Sequence, residues 1–269
     1  MIPTLSQVSC LSSPFDRDLE DFAGAGCQSV EVWFTKLETY LETHTPKDVR
    51  YWLEKTRLKL AVASFQGGLL ASQAEQRQVA WELFHRRLEL CRELDIGTVV
   101  VACDVPAPLS QQTIERVQVS LVQVAQEAGQ RGLRAALEFQ ATSAFGNNLQ
   151  TAAALVAEAA SPHLGLCLDA FHWHVGPSKT EDLGCLNLSN LFHVQVCDLA
   201  DTPRELATDS LRILPGEGDI RLAPLIERLR AISYAGCVSI ELMNPQLWQV
   251  PALQLADAGM ASLRRLLEH

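Results

Sequence analysis

Four oxygen-bearing side chains stand at the ends of short apolar runs in the second half of the chain. They are Glu138, Asp169, Gln195 and Glu241. A carboxylate in such a run is costly to bury unless a partner neutralises it. If the four converge, repulsion among the three negative charges favours a divalent cation between them. Because all four offer oxygen, we expect a hard ion, Mn²⁺ or Mg²⁺, with Co²⁺ or Zn²⁺ as alternatives.

Residue alternation predicts that these side chains face one way. In the run Leu164–Asp169, Cys167 shares a face with Asp169, and the leucines occupy the other face. In the run Cys237–Leu242, Glu241 shares its face with small side chains. Since neighbouring residues of a strand point to opposite faces, the bulky row would pack against helices and the polar row would point inward.

The elements that must hold these residues are strands alternating with helices along the whole chain. The strand-like runs are Thr4–Cys10, Gln28–Trp33, Leu58–Ser64, Thr98–Cys103, Leu133–Phe139, Leu164–Asp169, Phe192–Cys197 and Cys237–Leu242. Helical periodicity fills the intervals, as at Ile114, Val117, Leu121, Val124 and Ala128. This pattern predicts a single-domain (β/α)8 TIM barrel of the α/β class over residues 1–269. A doubly wound open sheet is the alternative, but no Gly-x-Gly-x-x-Gly follows the first strand.

In a TIM barrel the chemistry lies at the carboxyl ends of the strands, where the four polar side chains would meet. The net charge of −10 argues against a nucleic-acid partner and against an anionic membrane surface. The 8 cysteines are scattered and form no Cys-x-x-Cys pair, which is typical of reduced core residues. With no signal peptide or membrane span visible, we expect a cytoplasmic protein.

Five segments make the sequence resemble the xylose isomerase-like TIM barrel superfamily. They are Leu137–Phe139, Leu168–His174, His193–Asp198, Leu214–Ile220 and Ser239–Leu242. That group includes sugar phosphate isomerases and epimerases, inosose isomerase, hydroxypyruvate isomerase and some 3-dehydroshikimate dehydratases. The resemblance covers nearly the whole chain, and the last two segments look most like the inosose isomerase branch.

The resemblance implies roles for individual residues. The family's metal ligands fall on the same four positions, Glu138, Asp169, Gln195 and Glu241. Many members have histidine at the third position, whereas hydroxypyruvate isomerase-like and dehydroshikimate dehydratase-like members carry glutamine there. Glu138 and Glu241 would be the catalytic pair, one removing a proton alpha to a carbonyl and the other returning it.

Further residues are predicted to bind substrate. The resemblance implies this role for His172 and, in the loop after strand seven, for Arg204. Glu31 at the end of strand two either binds a substrate hydroxyl or anchors a neighbouring strand. Gln66, before a Gly-Gly pair, either approaches the substrate or belongs to a turn. The long loop between about Asp198 and Asp219 is a lid or specificity loop, or else an oligomer contact.

We therefore expect a divalent-metal-dependent isomerase or epimerase of a small sugar, ketose or inosose that works through an enediolate. The alternative is a metal-dependent lyase of the 3-dehydroshikimate dehydratase type, because both reactions begin with proton abstraction alpha to a carbonyl. Endonuclease IV shares the barrel but needs a multi-histidine zinc site and a basic face. A non-catalytic metal-binding barrel remains a further alternative. The partner is a small polyhydroxy carbonyl compound, and a homo-oligomer is left open.

Overall fold

A computed structural model describes residues 1–268 and confirms the predicted TIM barrel. Eight parallel strands close into a barrel in the order in which they occur in the chain. They are β1 Ile2–Ser6, β2 Ser29–Trp33, β3 Lys59–Gln66, β4 Thr98–Cys103, β5 Arg134–Phe139, β6 Leu164–Asp169, β7 Leu191–Val196 and β8 Cys237–Ile240. These residues form one TIM-barrel domain, and His269, the last residue of the predicted domain, lies outside the described range.

Helices surround the barrel. The α-helices are α1 Phe15–Gly24, α2 Phe34–Leu41, α3 Pro46–Thr56, α4 Ala74–Glu93, α5 Gln111–Gln130, α6 Leu149–Ala159, α7 Ala170–Val175, α8 Ala223–Ala231 and α9 Ala252–Glu268. Short 3₁₀ turns lie at Gln7–Cys10, Thr180–Cys185, Arg204–Leu206, Asp209–Leu211 and Leu247–Gln249. No helix within residues 1–268 is long and apolar enough to cross a membrane.

Two predicted strands run two or more residues past their observed ends, and the other bounds agree to within two residues. The first run ends at Ser6, and Gln7–Cys10 forms a 3₁₀ turn, so β1 ends at the edge of the barrel mouth. The last strand ends at Ile240, but the Glu241 backbone N–H still donates to the Val196 carbonyl at 3.2 Å. Glu241 is therefore held by the sheet although it lies one residue beyond the strand.

The predicted division of faces is present in the barrel. Leu166 and Leu168 of β6 belong to the main core between strands and helices, whereas Cys167 packs inside the barrel. Inside, an apolar floor consists of Val62, Val100, Ala136, Cys167, Phe192 and Cys237. The polar side chains stand above this floor, at the carboxyl ends of the strands.

A bulge in β7 lets the strand place the bulky Phe192 in the floor and polar side chains in the site above it. Leu166 pairs with Leu191 but Cys167 pairs with His193, so β7 has one extra residue, Phe192, at this point. Such a bulge lets successive residues turn to the same side of a sheet. A Cβ on Gly165 would come within 2.6 Å of the Phe192 ring. Glycine at 165 therefore leaves the space in which Phe192 closes the floor beneath His193.

Candidate metal centre and active site

A small cavity opens at the carboxyl end of the barrel, and two of the four predicted metal ligands, Glu138 and Glu241, line it. It encloses about 90 Å³. Its lining residues come from loops and strand ends around the barrel and are Trp33, Phe65, Glu138, Gln140, His172, Asp209, Arg212, Glu241 and Met243. Donor atoms of Glu138, Asp169 and His172 all lie within 4.8 Å of one another. These residues are buried, so the site is largely removed from bulk water.

The carboxylates of this site are held by specific partners. Asp169 ends β6, and its Oδ1 accepts the Phe171 backbone N–H at 2.6 Å, which caps α7. Glu138, the fifth residue of β5, accepts the Gln140 amide at 2.7 Å. Each side chain is thus fixed by the turn that follows its own strand, so the strand positions set the geometry of the site.

Arg212 is a fully buried guanidinium at the centre of the site. Its Nη1 donates to Asp169 Oδ2 at 2.7 Å and to Glu241 Oε2 at 3.0 Å. Its Nη2 and Nε donate to Asp209 Oδ1 at 2.6 and 3.0 Å. The guanidinium carbon lies 4.5 Å from the centre of the Phe171 ring. Arg212 therefore bridges two carboxylates inside the barrel and one in its own loop.

The loop that carries Arg212 is anchored by Asp198. Asp198 pairs with Ile213 in an antiparallel bridge, through two backbone hydrogen bonds of 2.9 Å. The Asp198 carboxylate also accepts the backbone N–H groups of Leu199, Gly216 and Ile220 at 2.8–2.9 Å. One buried carboxylate thus closes both ends of the loop, and this places Arg212 over the barrel mouth.

Burial and mutual repulsion shift the pKa values of the two predicted catalytic glutamates in the same direction. Burial raises the pKa of Glu138 well above its ordinary value, and the negative charge of Asp169 adds to the effect. Burial also raises the pKa of Glu241 well above its ordinary value, although Arg212 opposes this. Raised carboxyl pKa values of this kind are characteristic of groups that exchange protons near neutral pH.

Asp169 differs from the two glutamates. Burial alone would raise its pKa, but the charge and hydrogen bond of Arg212, together with His172, hold the pKa below its ordinary value. Asp169 is therefore a permanent anion, and Arg212 is its counter-ion. The pKa of Arg212 is well above its ordinary value because the surrounding carboxylates outweigh the cost of burial.

Gln195 lies beneath the cavity and connects two carboxylates. Its Nε2 donates to Glu31 Oε1 at 2.8 Å and to Glu241 Oε1 at 3.0 Å. Its Oε1 accepts a hydrogen bond from the Cys167 thiol at 3.1 Å. The other Glu31 oxygen pairs with His193 Nε2 at 3.0 Å. Glu31 is fully buried and does not line the cavity, so it anchors β7.

His172 presents a hydrogen-bond donor to the cavity. Its Nδ1 accepts the Ala141 backbone N–H at 3.4 Å. Burial lowers the pKa of His172, although the negative charge of Asp169 opposes this. A neutral imidazole whose Nδ1 accepts a hydrogen bond carries its proton on Nε2. That proton would be available to a substrate oxygen, as the predicted role requires, and the ring also lies within 4.8 Å of Glu138 and Asp169, close enough to share an ion with them.

Two residues predicted to bind substrate lie away from the cavity. Gln66 is buried against Arg87, whose Nη1 donates to the Gln66 side-chain oxygen Oε1 at 3.1 Å. Arg204 is exposed and donates to the Gly176 carbonyl at 2.6 Å, beside a separate depression. The arginine at the site is Arg212. It lies two residues before the motif Leu214–Ile220, and this proximity was the available signal in the sequence.

One wall of the cavity is apolar and comes from residues that the sequence analysis did not assign to the site. Trp33 and Phe65 lie with ring centres 5.2 Å apart, and Met243 joins them. Phe65 is 40% exposed, so its ring is open to a molecule that enters the cavity. The wall faces a rim of carboxylate, amide and guanidinium groups, so the cavity has one apolar and one oxygen-binding side.

The donor set fits a divalent cation. Four carboxylates are buried here: Glu31, Glu138, Asp169 and Glu241. Among the described residues, Arg212 is the arginine or lysine side chain that forms ion pairs with this group, through Asp169 and Glu241. An oxygen-rich set with excess negative charge is the kind that hard divalent ions bind. Glu138, Asp169 and Glu241 would hold the ion, with the Gln195 amide oxygen as the fourth predicted ligand.

Comparison with protein families identifies the barrel. A model of the xylose isomerase-like TIM barrel family matches residues 19–266. The chain belongs to this family. A crystal structure of the IolI protein with a bound zinc atom superposes with a TM-score of 0.93, covers 100% of this chain and 98% of that chain, and is 23% identical. That likeness establishes the shared fold.

Two curated relatives differ in activity. The inosose isomerase of Halalkalibacterium halodurans is 29% identical over 244 residues, which are 88% of this chain and 85% of that protein. The 3-dehydroshikimate dehydratase of Pseudomonas putida is 29% identical over 272 residues, 96% of this chain but 40% of that protein. The chain therefore spans less than half of the dehydratase. The relatives indicate an enzyme of the sugar isomerase and epimerase kind.

The raised pKa of Glu138 makes a testable prediction about stability. In the metal-free protein, Glu138 stabilises the fold while protonated, and this contribution is lost as pH rises from its ordinary value of 4.5 through the raised folded value. Metal-free Glu138→Gln should therefore melt at a higher temperature than metal-free wild type at neutral pH. The advantage should shrink as the pH falls towards 4.5. Thermal melts with a chelator present measure both.

The matched control is Glu54→Gln, which changes an exposed glutamate far from the site. Its melting temperature should track that of the wild type across the whole pH series. An advantage of Glu138→Gln that does not vary with pH would contradict the assignment of a raised pKa to Glu138.

Proposed function

We propose that this protein is a divalent-metal-dependent isomerase or epimerase that moves a proton alpha to the carbonyl of a small sugar, ketose or inosose. The supporting observation is the pair Glu138 and Glu241. Both line one cavity, both are buried, and burial raises the pKa of both. They stand on β5 and just beyond β8, so they reach the cavity from different parts of the barrel wall.

The two glutamates carry the proton transfers in this proposal. One carboxylate removes the proton from the carbon next to the carbonyl, and the protonated partner returns one to the neighbouring carbon or opposite face. Gln140 orients Glu138, while Gln195 and Arg212 orient Glu241. Their different partners allow one glutamate to be ionised while the other is protonated.

Other residues bind and orient the substrate. His172 Nε2–H and the Arg212 guanidinium supply donors for substrate oxygens, and Trp33 with Phe65 covers the apolar C–H face of the substrate. A bound divalent ion would polarise the carbonyl as a Lewis acid. The apolar floor beneath Gln195 closes the lower side of the site to water.

A second candidate, a 3-dehydroshikimate dehydratase, is favoured by glutamine at position 195. The resemblance associates this residue with dehydratase-like and hydroxypyruvate isomerase-like members, and a dehydratase relative aligns over 96% of this chain. The first step, proton abstraction alpha to a ketone, is common to both reactions. In the dehydratase, the second acid would protonate a departing hydroxyl group instead of a carbon.

A pair of assays separates the two candidates. With Mn²⁺ present, the protein should convert 2-keto-myo-inositol to an isomeric inosose, seen by NMR, and exchange its alpha proton in D₂O. Glu138→Gln and Glu241→Gln should each lower the rate by at least about 100-fold, the scale of a lost acid or base. If the protein formed an aromatic product from 3-dehydroshikimate, seen by its absorbance, and did not isomerise the inosose, the dehydratase would replace the isomerase as the proposed function. Unchanged turnover in both variants would contradict the catalytic pair.

Arg212 and Arg204 give a matched comparison of two arginines in one loop. Arg212→Ala should lower kcat/KM by about 100-fold or more, since it removes a buried donor from the reacting region. Arg204→Ala should change kcat/KM by no more than about twofold, because Arg204 is exposed and lies outside the cavity. Steady-state kinetics on the turned-over substrate measure both. Equal losses in the two variants would contradict the placement of Arg212.

A further inference from the structure

Glu31 forms a polar connection across the interior of the barrel. It lies on β2, and both of its oxygens are bound by side chains of β7, a strand that does not neighbour β2 in the sheet. Oε2 pairs with His193 Nε2 at 3.0 Å, and Oε1 accepts the Gln195 amide at 2.8 Å. All three side chains are at most 1% exposed. Buried charges of this kind are costly, so the arrangement requires a reason.

The electrostatics of this connection fix the orientation of the Gln195 amide. The amide has a nitrogen with two donors and an oxygen that only accepts. Its nitrogen lies between the carboxylates of Glu31 and Glu241, at 2.8 and 3.0 Å. A flipped amide would place its oxygen against two acceptors and lose both hydrogen bonds. Glu31 therefore fixes the position of the amide nitrogen, and the amide oxygen is the atom left free to bind another group.

The amide oxygen is weakly held. Its hydrogen-bond partner in the described structure is the Cys167 thiol, at 3.1 Å. A thiol is a weak donor, so exchanging this contact for another costs little. Position 195 thus offers one firmly held nitrogen and one oxygen that is easily released.

We propose that Glu31 and His193 are positioning residues that act through Gln195. Glu31 holds the amide nitrogen, His193 holds Glu31, and the amide oxygen is thereby reserved for the divalent cation. The proposal rests on the metal site of the proposed function, and not on which reaction that site performs. In this proposal Glu31 orients a metal ligand and does not bind a substrate hydroxyl.

The measurement is the affinity of the chelator-stripped protein for Mn²⁺, by calorimetric titration without substrate. Glu31→Gln keeps the shape of the side chain but removes one of its two acceptors. It should weaken Mn²⁺ binding by about 10- to 100-fold, the range for partners that orient metal ligands. Wild-type affinity in Glu31→Gln would overturn the proposal.

A double-mutant cycle separates positioning from a general effect of charge. Gln195→Ala should also weaken Mn²⁺ binding, and Glu31→Gln/Gln195→Ala should bind no more weakly than Gln195→Ala alone. If Glu31 acted only through its negative charge, its effect would persist without Gln195, and the two losses would multiply. Multiplied losses would therefore overturn the proposal.

A second variant and a control guard against an effect of folding. Glu31→Leu/His193→Leu removes both polar partners without leaving a buried unpaired charge, and it should show the same loss of Mn²⁺ affinity. Tyr234→Phe is the control, because the Tyr234 hydroxyl binds the Cys237 and Phe192 carbonyls at 3.0 and 3.4 Å and forms no hydrogen bond with the described side chains of Glu31, His193 or Gln195. It should lower the melting temperature and leave Mn²⁺ affinity unchanged.

These measurements distinguish the proposal from the proposed function. A protein that binds Mn²⁺ but turns over neither substrate would refute the reaction and leave the positioning intact. A wild-type protein that binds no Mn²⁺ would overturn the metal site and the positioning together.

Discussion

Concentrated negative charge in a buried space is the constraint on which the site depends. Several carboxylates meet at the mouth of the barrel, where repulsion is screened far less than at the surface. Each carboxylate is stabilised in a different way. Arg212 holds Asp169 ionised, burial raises the pKa of Glu138, and His193 and Gln195 bind Glu31. The result is a set of acids with unequal proton affinities, which acid–base chemistry requires.

The rest of the fold serves to hold these charges at fixed positions. The closed barrel brings β5 to β8 together, so residues far apart in the chain meet at one end. The bulge at Phe192 closes the floor with an apolar ring while His193 and Gln195 keep their inward faces. Asp198 anchors the long loop, so that the guanidinium of Arg212 reaches the carboxylates. A shift in any of these would leave a buried charge without its partner.

Much of this could be predicted from the sequence because it follows from periodicity. Alternation along β6 placed Asp169 on the inner face, and eight strand–helix units required a barrel. Arg212 could not be distinguished from Arg204 in this way, since both belong to a loop whose path depends on the Asp198 bridge. Glu31 was ambiguous because its partners lie across the barrel, at a distance that no local pattern encodes. The placement of Gln66 against Arg87 is likewise a tertiary contact.

The central claim is that these carboxylates need a divalent cation, because the protein's own basic groups do not fully neutralise their negative charge. Titration of the chelator-stripped chain with Mn²⁺, in two buffers of different ionisation enthalpy, tests it most directly. The account predicts saturable binding of one ion per chain with release of protons, since burial raises the pKa of Glu138 and Glu241 and an ion would displace protons from them. Binding without proton release, or no saturable binding, would contradict it.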